Sequence, residues 1–111
     1  MKLSKIKNMI ENNPVALATS SGKKPHVIGV AYVKVVGTDK LLVTDAYMKT
    51  TVSNIKKNKN VSLAVWDKRW KGYTLQGTAA YFTKGRWADH VKNMKENKGH
   101  PVKGAILISV K

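Results

Sequence analysis

The chain contains no cysteine, which rules out disulfides and thiolate metal sites and makes the cytoplasm the expected location. It has little acid: six Asp and Glu stand against 21 Lys and Arg, for a net charge of +15. Arginine is scarce as well, since only Arg69 and Arg86 break the lysine monopoly. Base-reading and bidentate phosphate sites lean on arginine, so this excess fits a solvated lysine surface. It also fits a chain that attracts polyanions, an anionic membrane surface or a small phosphorylated ligand, and the composition leaves both open. No apolar run approaches the roughly 20 residues of a membrane helix. The stretch from Met1 to Ile10 is amphipathic and lacks the apolar centre of a signal peptide. Repeats, linkers and low-complexity segments are missing too, which leaves one domain over residues 1–111.

What is present is a globular pattern. With 42% hydrophobic residues in 111, the chain has material for one modest core. Leu3, Ile6 and Ile10 share a helical face, with Ser4 as a candidate cap and Asn12-Asn13-Pro14 as the stop. Val15 to Thr19 reads as a short strand, His26 to Val36 as one long β-branched strand and Leu41 to Thr44 as a third. Turn residues at Ser21-Gly22 and Gly37-Thr38-Asp39 make these three an antiparallel meander. A second helix is expected from about Thr51 to Lys57, with Val52 and Ile55 as its apolar stripe. Alternation in Val61, Leu63 and Val65 marks another strand, followed by a polar loop with Arg69 and Trp70. Tyr73 to Thr83 is a long strand loosened by Gly77. Trp87, Val91 and Met94 form one face of a third helix ended by Gly99 and Pro101, and Ala105 to Val110 closes the sequence. The expected fold is mainly β (α+β): a six-stranded antiparallel split or nearly closed barrel with short peripheral helices, since several strands read as covered on both faces.

The strongest candidate site is Lys49-Thr50-Thr51, where the strand ending at Thr44 passes into the second helix. A helix start presents free amides and a partial positive charge; threonine hydroxyls and a lysine add to it. The same residues also read as a plain N-cap beside a solvated lysine. Other signals are weaker. His26, His90 and His100 are widely spaced with no carboxylate cluster, which argues against a metal. Ser20, Ser21 and Ser53 have no evident base, which argues against a nucleophilic hydrolase. Trp66 and Trp70, with Tyr73, motivate a basic nucleic-acid-binding barrel as an alternative, though lysine is spread along the chain and not gathered in one segment. Trp87 belongs with the core, and Trp70 suits a contact surface or subunit interface.

The run Thr44-Asp45-Ala46-Tyr47-Met48-Lys49-Thr50-Thr51, followed by Asn54-Ile55, Asn58 and Val61-Ser62-Leu63-Ala64-Val65, resembles the pyridoxamine 5'-phosphate oxidase-like FMN-binding split barrels. The order of elements, with Pro25-His26 before a long strand and Tyr73 to Ala79 as a later one, extends the resemblance over nearly the whole chain. It is similar above all to small bacterial and archaeal FMN-binding proteins. The resemblance implies a homodimer with FMN at the subunit interface and an oxidoreductase or electron-transfer role. Lys49, Thr50 and Thr51 would hold the phosphate. Ile28, Gly29 and Val30 would lie along the isoalloxazine ring, with Gly29 admitting a close backbone approach. Thr44, Asp45 and Ala46 would line the ribityl chain and ring, and Pro101 would pack near the ring, from the other subunit. No side chain is expected to be catalytic, because the cofactor carries the chemistry; the counterpart is a small redox substrate or electron partner. The longer C-terminal part that binds pyridoxal phosphate in true pyridoxamine-phosphate oxidases has no counterpart after Lys111, so that substrate is not expected. A deazaflavin or haem on the same fold are the alternative ligands, although no histidine stands out as an axial ligand.

Overall fold

The computed structural model describes residues 3–111. Met1 and Lys2, part of the amphipathic stretch above, lie outside the described residues. A 3-10 turn at Leu3–Lys5 leads into helix α1 (Lys7–Asn12). Leu3, Ile6 and Ile10 are all buried, so the spacing of three and four residues marks the core-facing side. No side chain caps α1; Ile6 stands at its N-cap, and the expected Ser4 cap is not made.

Seven strands follow among the described residues, not six. They are β1 (Val15–Ser21), β2 (Lys24–Val30), β3 (Val33–Val36), β4 (Lys40–Asp45), β5 (Asn60–Trp66), β6 (Gly72–Phe82) and β7 (Gly104–Val110). The single long strand expected over His26 to Val36 is split at Ala31 and Tyr32. The reason is a change of partner: Val30 pairs with Val15 of β1, whereas Val33 pairs with Val43 of β4. The expected meander is therefore two separate hairpins, β1–β2 and β3–β4.

That split closes the architecture. The antiparallel sheet runs β2-β1-β5-β6-β7-β4-β3, so its two edge strands are consecutive in sequence and joined by two residues. A sheet whose edges are tied so closely has to curl until they meet, and the result is a split barrel. Its interior holds Leu17, Val33, Leu41, Val43, Leu63, Val65, Leu75, Ile106 and Ile108. Helix α2 (Lys49–Lys57) buries Val52 and Ile55 against the same core. Gly77, buried in β6, is demanded by packing, because a Cβ there would run into the Ser109 carbonyl of β7.

Helix α3 (Arg86–Lys92) lies outside the barrel over β4 and β7. It ends at Lys92, earlier than the pattern through Met94 suggested, and a 3-10 turn at Lys95–Asn97 follows. Leu42, Val91 and Ala105 form a second cluster here, with Trp87, Met94 and Leu107 packed against it. This outer cover explains why β4 and β7 lack polar alternation. No helix of the described residues is long and apolar enough to cross a membrane.

Candidate functional site

A cavity of about 500 Å³ opens between the β2–β3 crossover, the end of β4 and the start of α2. That volume is of the size that small-molecule and cofactor sites occupy. Its walls include Ile28, Gly29, Val30, Thr44, Ala46, Lys49, Thr50 and Thr51. Two distant stretches of sequence, Ile28–Val30 and the run from Thr44 to Thr51, each singled out for the same ligand, thus meet at one place. A Cβ on Gly29 would meet no protein atom within 4 Å, so packing inside the chain does not require glycine there.

Two sequence-derived candidates stand elsewhere. Asp45 is 3% exposed and does not line the cavity; its carboxylate accepts the Met48 amide at 3.0 Å and the Tyr81 hydroxyl at 2.6 Å. Strand alternation is the cause, since Thr44 and Ala46 take the cavity side and turn Asp45 away. Pro101 is exposed and also lies outside the lining, although its neighbour His100 is part of it.

The start of α2 is the chemically distinctive wall. Met48 occupies the N-cap position and no side chain caps the helix. The amide of Lys49 bonds the Tyr47 carbonyl at 3.2 Å, and helix geometry leaves those of Thr50 and Thr51 without intrahelical acceptors. Thr51 is 1% exposed, and its Oγ1 has no hydrogen-bond partner among the described residues. A buried hydroxyl without a partner costs free energy, of order 1–3 kcal/mol, that a ligand accepting its proton would recover. The plain N-cap reading of Thr51 does not hold, because that side chain caps nothing. Exposed Lys49 adds a positive charge at the positive end of the helix dipole. Free amides, an orphaned hydroxyl and an ammonium together are a donor set able to hold an anion, and a phosphate ester fits it.

Sequence reading missed part of the lining. Glu96, Asn97 and His100 reach the cavity from the segment after α3, and His26, Ala31, Tyr32, Tyr47 and Met48 complete it. Asn97 ties that segment down: its amide donates to Thr44 Oγ1 at 2.9 Å and to the Val91 carbonyl at 2.7 Å. His100 meets Tyr47 edge to face, with ring centres 6.3 Å apart. No local pattern places these residues at a common site; the hints were Pro25-His26 before its strand, the turn residues Gly99 and Pro101 and the flank of the Lys49 motif. The described residues hold no cluster of three His, Cys, Asp or Glu suited to a metal. Trp66, Trp70 and Tyr73 line a separate shallow hollow at the tip of the β5–β6 hairpin, and Trp70 is 82% exposed.

Comparison with known proteins agrees with this architecture. HupZ of Group A Streptococcus superposes with a TM-score of 0.89 at 22% identity, over 100% of this chain and 90% of that one. An FMN-binding protein from Syntrophomonas wolfei gives 0.74 at 16% identity, over 98% and 82% of the two chains. A FAD-binding protein from Mesorhizobium loti gives 0.70 at 17% identity, over 98% and 88%. At these identities the likeness establishes the shared fold. No curated protein sequence matches the chain. The family model described as pyridoxamine 5'-phosphate oxidase matches residues 4–109, nearly the whole length, and the chain belongs to that family.

Proposed function

We propose that this protein binds FMN in the cavity, with the phosphate on Lys49, Thr50 and Thr51, and works as an oxidoreductase or electron-transfer protein. The observation that carries this reading is the orphaned Thr51 hydroxyl at an uncapped helix start, inside a cavity of cofactor size. Ile28, Gly29 and Val30 would flank the flavin ring, and Thr44 and Ala46 the ribityl chain. Such a cofactor supplies hydride or single-electron chemistry, while the chain's own residues bind it, orient it and exclude water. The net charge of +15 favours an anionic cofactor and an anionic electron partner. A cytoplasmic location suits a chain without cysteine.

The functional unit in this reading is a homodimer. Tyr32 and Tyr47 are exposed at the cavity, Trp70 is exposed at the β5–β6 tip, and Pro101 lies beside His100. A second copy would cover these apolar groups and bring Pro101 to the ring. Light scattering on the purified protein is expected to give the mass of two chains.

The absorbance spectrum of the protein as purified, followed by titration with FMN, tests the cofactor. Flavin bands or saturable quenching of FMN fluorescence are expected, and Lys49→Ala should weaken binding about tenfold. No binding at micromolar FMN sinks the proposal. One observation favours a second ligand: His26 and His100, unremarkable in sequence, both line the cavity and offer ring nitrogens to a haem iron. A Soret band in place of flavin bands would select that reading.

A further inference from the structure

Tyr81 lies outside the cavity, in β6, yet it is linked to the anion site by an unbroken set of contacts. Its hydroxyl donates to Asp45 Oδ2 at 2.6 Å, and Asp45 Oδ1 accepts the amide of Met48 at 3.0 Å. Met48 is the residue from which α2 begins, and its carbonyl accepts the first helical bond, from the Val52 amide at 3.1 Å. Asp45 also accepts, through its main-chain carbonyl, the amide of Lys103 at 2.8 Å, which holds the end of β4 beside β7. At the other end of α2, the Lys56 ammonium stands 5.4 Å from the centre of the Tyr81 ring, within cation–π range. One tyrosine therefore touches the helix near its last turn and, through a buried carboxylate, its N-cap residue.

The neighbourhood is shaped to admit this. A Cβ at Gly104, the β7 partner of Asp45, would stand 2.7 Å from the Tyr81 hydroxyl and 2.7 Å from the Phe82 carbonyl. Only glycine leaves room for the phenol to reach the carboxylate. Burial, and the hydrogen bond and charge of Asp45, push the phenol up to about 12, so it remains a proton donor at neutral pH.

We propose that Tyr81 is a positioning residue: acting through Asp45, it sets the loop Ala46–Met48 and the opening turn of α2, and so governs affinity for the phosphate without touching it. The inference rests on the reading of the cavity as a phosphate-ester site. It explains why a carboxylate, repulsive to an anion, sits buried so near that site: both oxygens are engaged by donors and the side chain faces away.

The test compares FMN with riboflavin, which carries the same ring and no phosphate. In Tyr81→Phe the dissociation constant for FMN is expected to rise about tenfold while that for riboflavin stays put. Asp45→Asn, whose amide can accept from Met48 and donate to Tyr81, should keep FMN binding within a factor of about three of the parent. Amide hydrogen exchange on the flavin-free chain supplies a second readout: Met48 and Val52 should exchange faster in Tyr81→Phe, with Leu63 in β5 unchanged. Equal weakening for FMN and riboflavin, or unaltered exchange at Met48 and Val52, overturns the proposal. If the parent chain binds neither flavin, the reading of the cavity fails, and the exchange experiment still decides the role of Tyr81.

Discussion

Two aspartates organise two loops in this barrel, with opposite outcomes. Asp67, at the β5–β6 hairpin, accepts the amides of Arg69 at 2.8 Å and Lys71 at 3.1 Å through one carboxylate oxygen. Main-chain bonds from Asp67 to Lys71 and from Trp70 to Asp67 complete that turn, which carries Trp70 in a left-handed conformation at φ 66°. Asp45 accepts one amide of the β4–α2 loop, that of Met48, yet the helix beyond it starts uncapped, with a buried hydroxyl left over. The first loop is satisfied by its own residues. The second is tied by Asp45 yet incomplete, which suits a ligand: donors placed in advance cost little to order when it arrives.

Substitution at Thr51 tests that contrast most strongly. Thr51→Val keeps the shape and removes the orphan, so thermal unfolding of the free protein should show stabilisation of about 1 kcal/mol. The same change should weaken FMN about fivefold in a fluorescence titration, since one donor to the phosphate is lost. A destabilised variant with undiminished FMN binding would mean the hydroxyl has a structural partner and no ligand.

At the hairpin, Asp67→Ala should cost about 1 kcal/mol in denaturant unfolding, because two amides lose a charged acceptor on a largely solvated loop. FMN binding should not change. A loss of FMN affinity there would erase the distinction between the two loops.

The mildest effect concerns pH. The Tyr81 phenol is raised from its ordinary 10.0 to about 12 by burial and by Asp45. The folded state therefore holds that proton more tightly than the unfolded one. Its contribution to stability is full below pH 10 and is lost as pH climbs towards 12. Tyr81→Phe should flatten the fall in melting temperature across this window; an unchanged slope would uncouple the phenol from Asp45.

Much of this was legible locally. Leu3, Ile6 and Ile10 repeat at helical spacing, and Val61, Leu63 and Val65 at strand spacing, so their buried faces follow from period alone. Lys49-Thr50-Thr51 was legible because a helix start carries its amides with it. The break at Ala31 and Tyr32 was not, because both halves of His26 to Val36 are extended and only their partners differ. Trp87 shows a middle case: helical spacing put it on the core side, and the structure packs it against a second cluster outside the barrel.

The sequence by itself determined most of the elements, their core-facing sides and one helix start with free amides, because periodicity and end chemistry act over a few residues. Tertiary structure alone decided that β2 and β3 become opposite edges of one sheet, and that His26, Asn97 and His100 reach the cavity holding Thr51. It alone decided that Tyr81, 36 residues later, is the partner that Asp45 meets on its far side. Those outcomes depend on which strands pair and how far the sheet curls, and pairing between distant segments leaves no mark on the spacing of neighbouring residues.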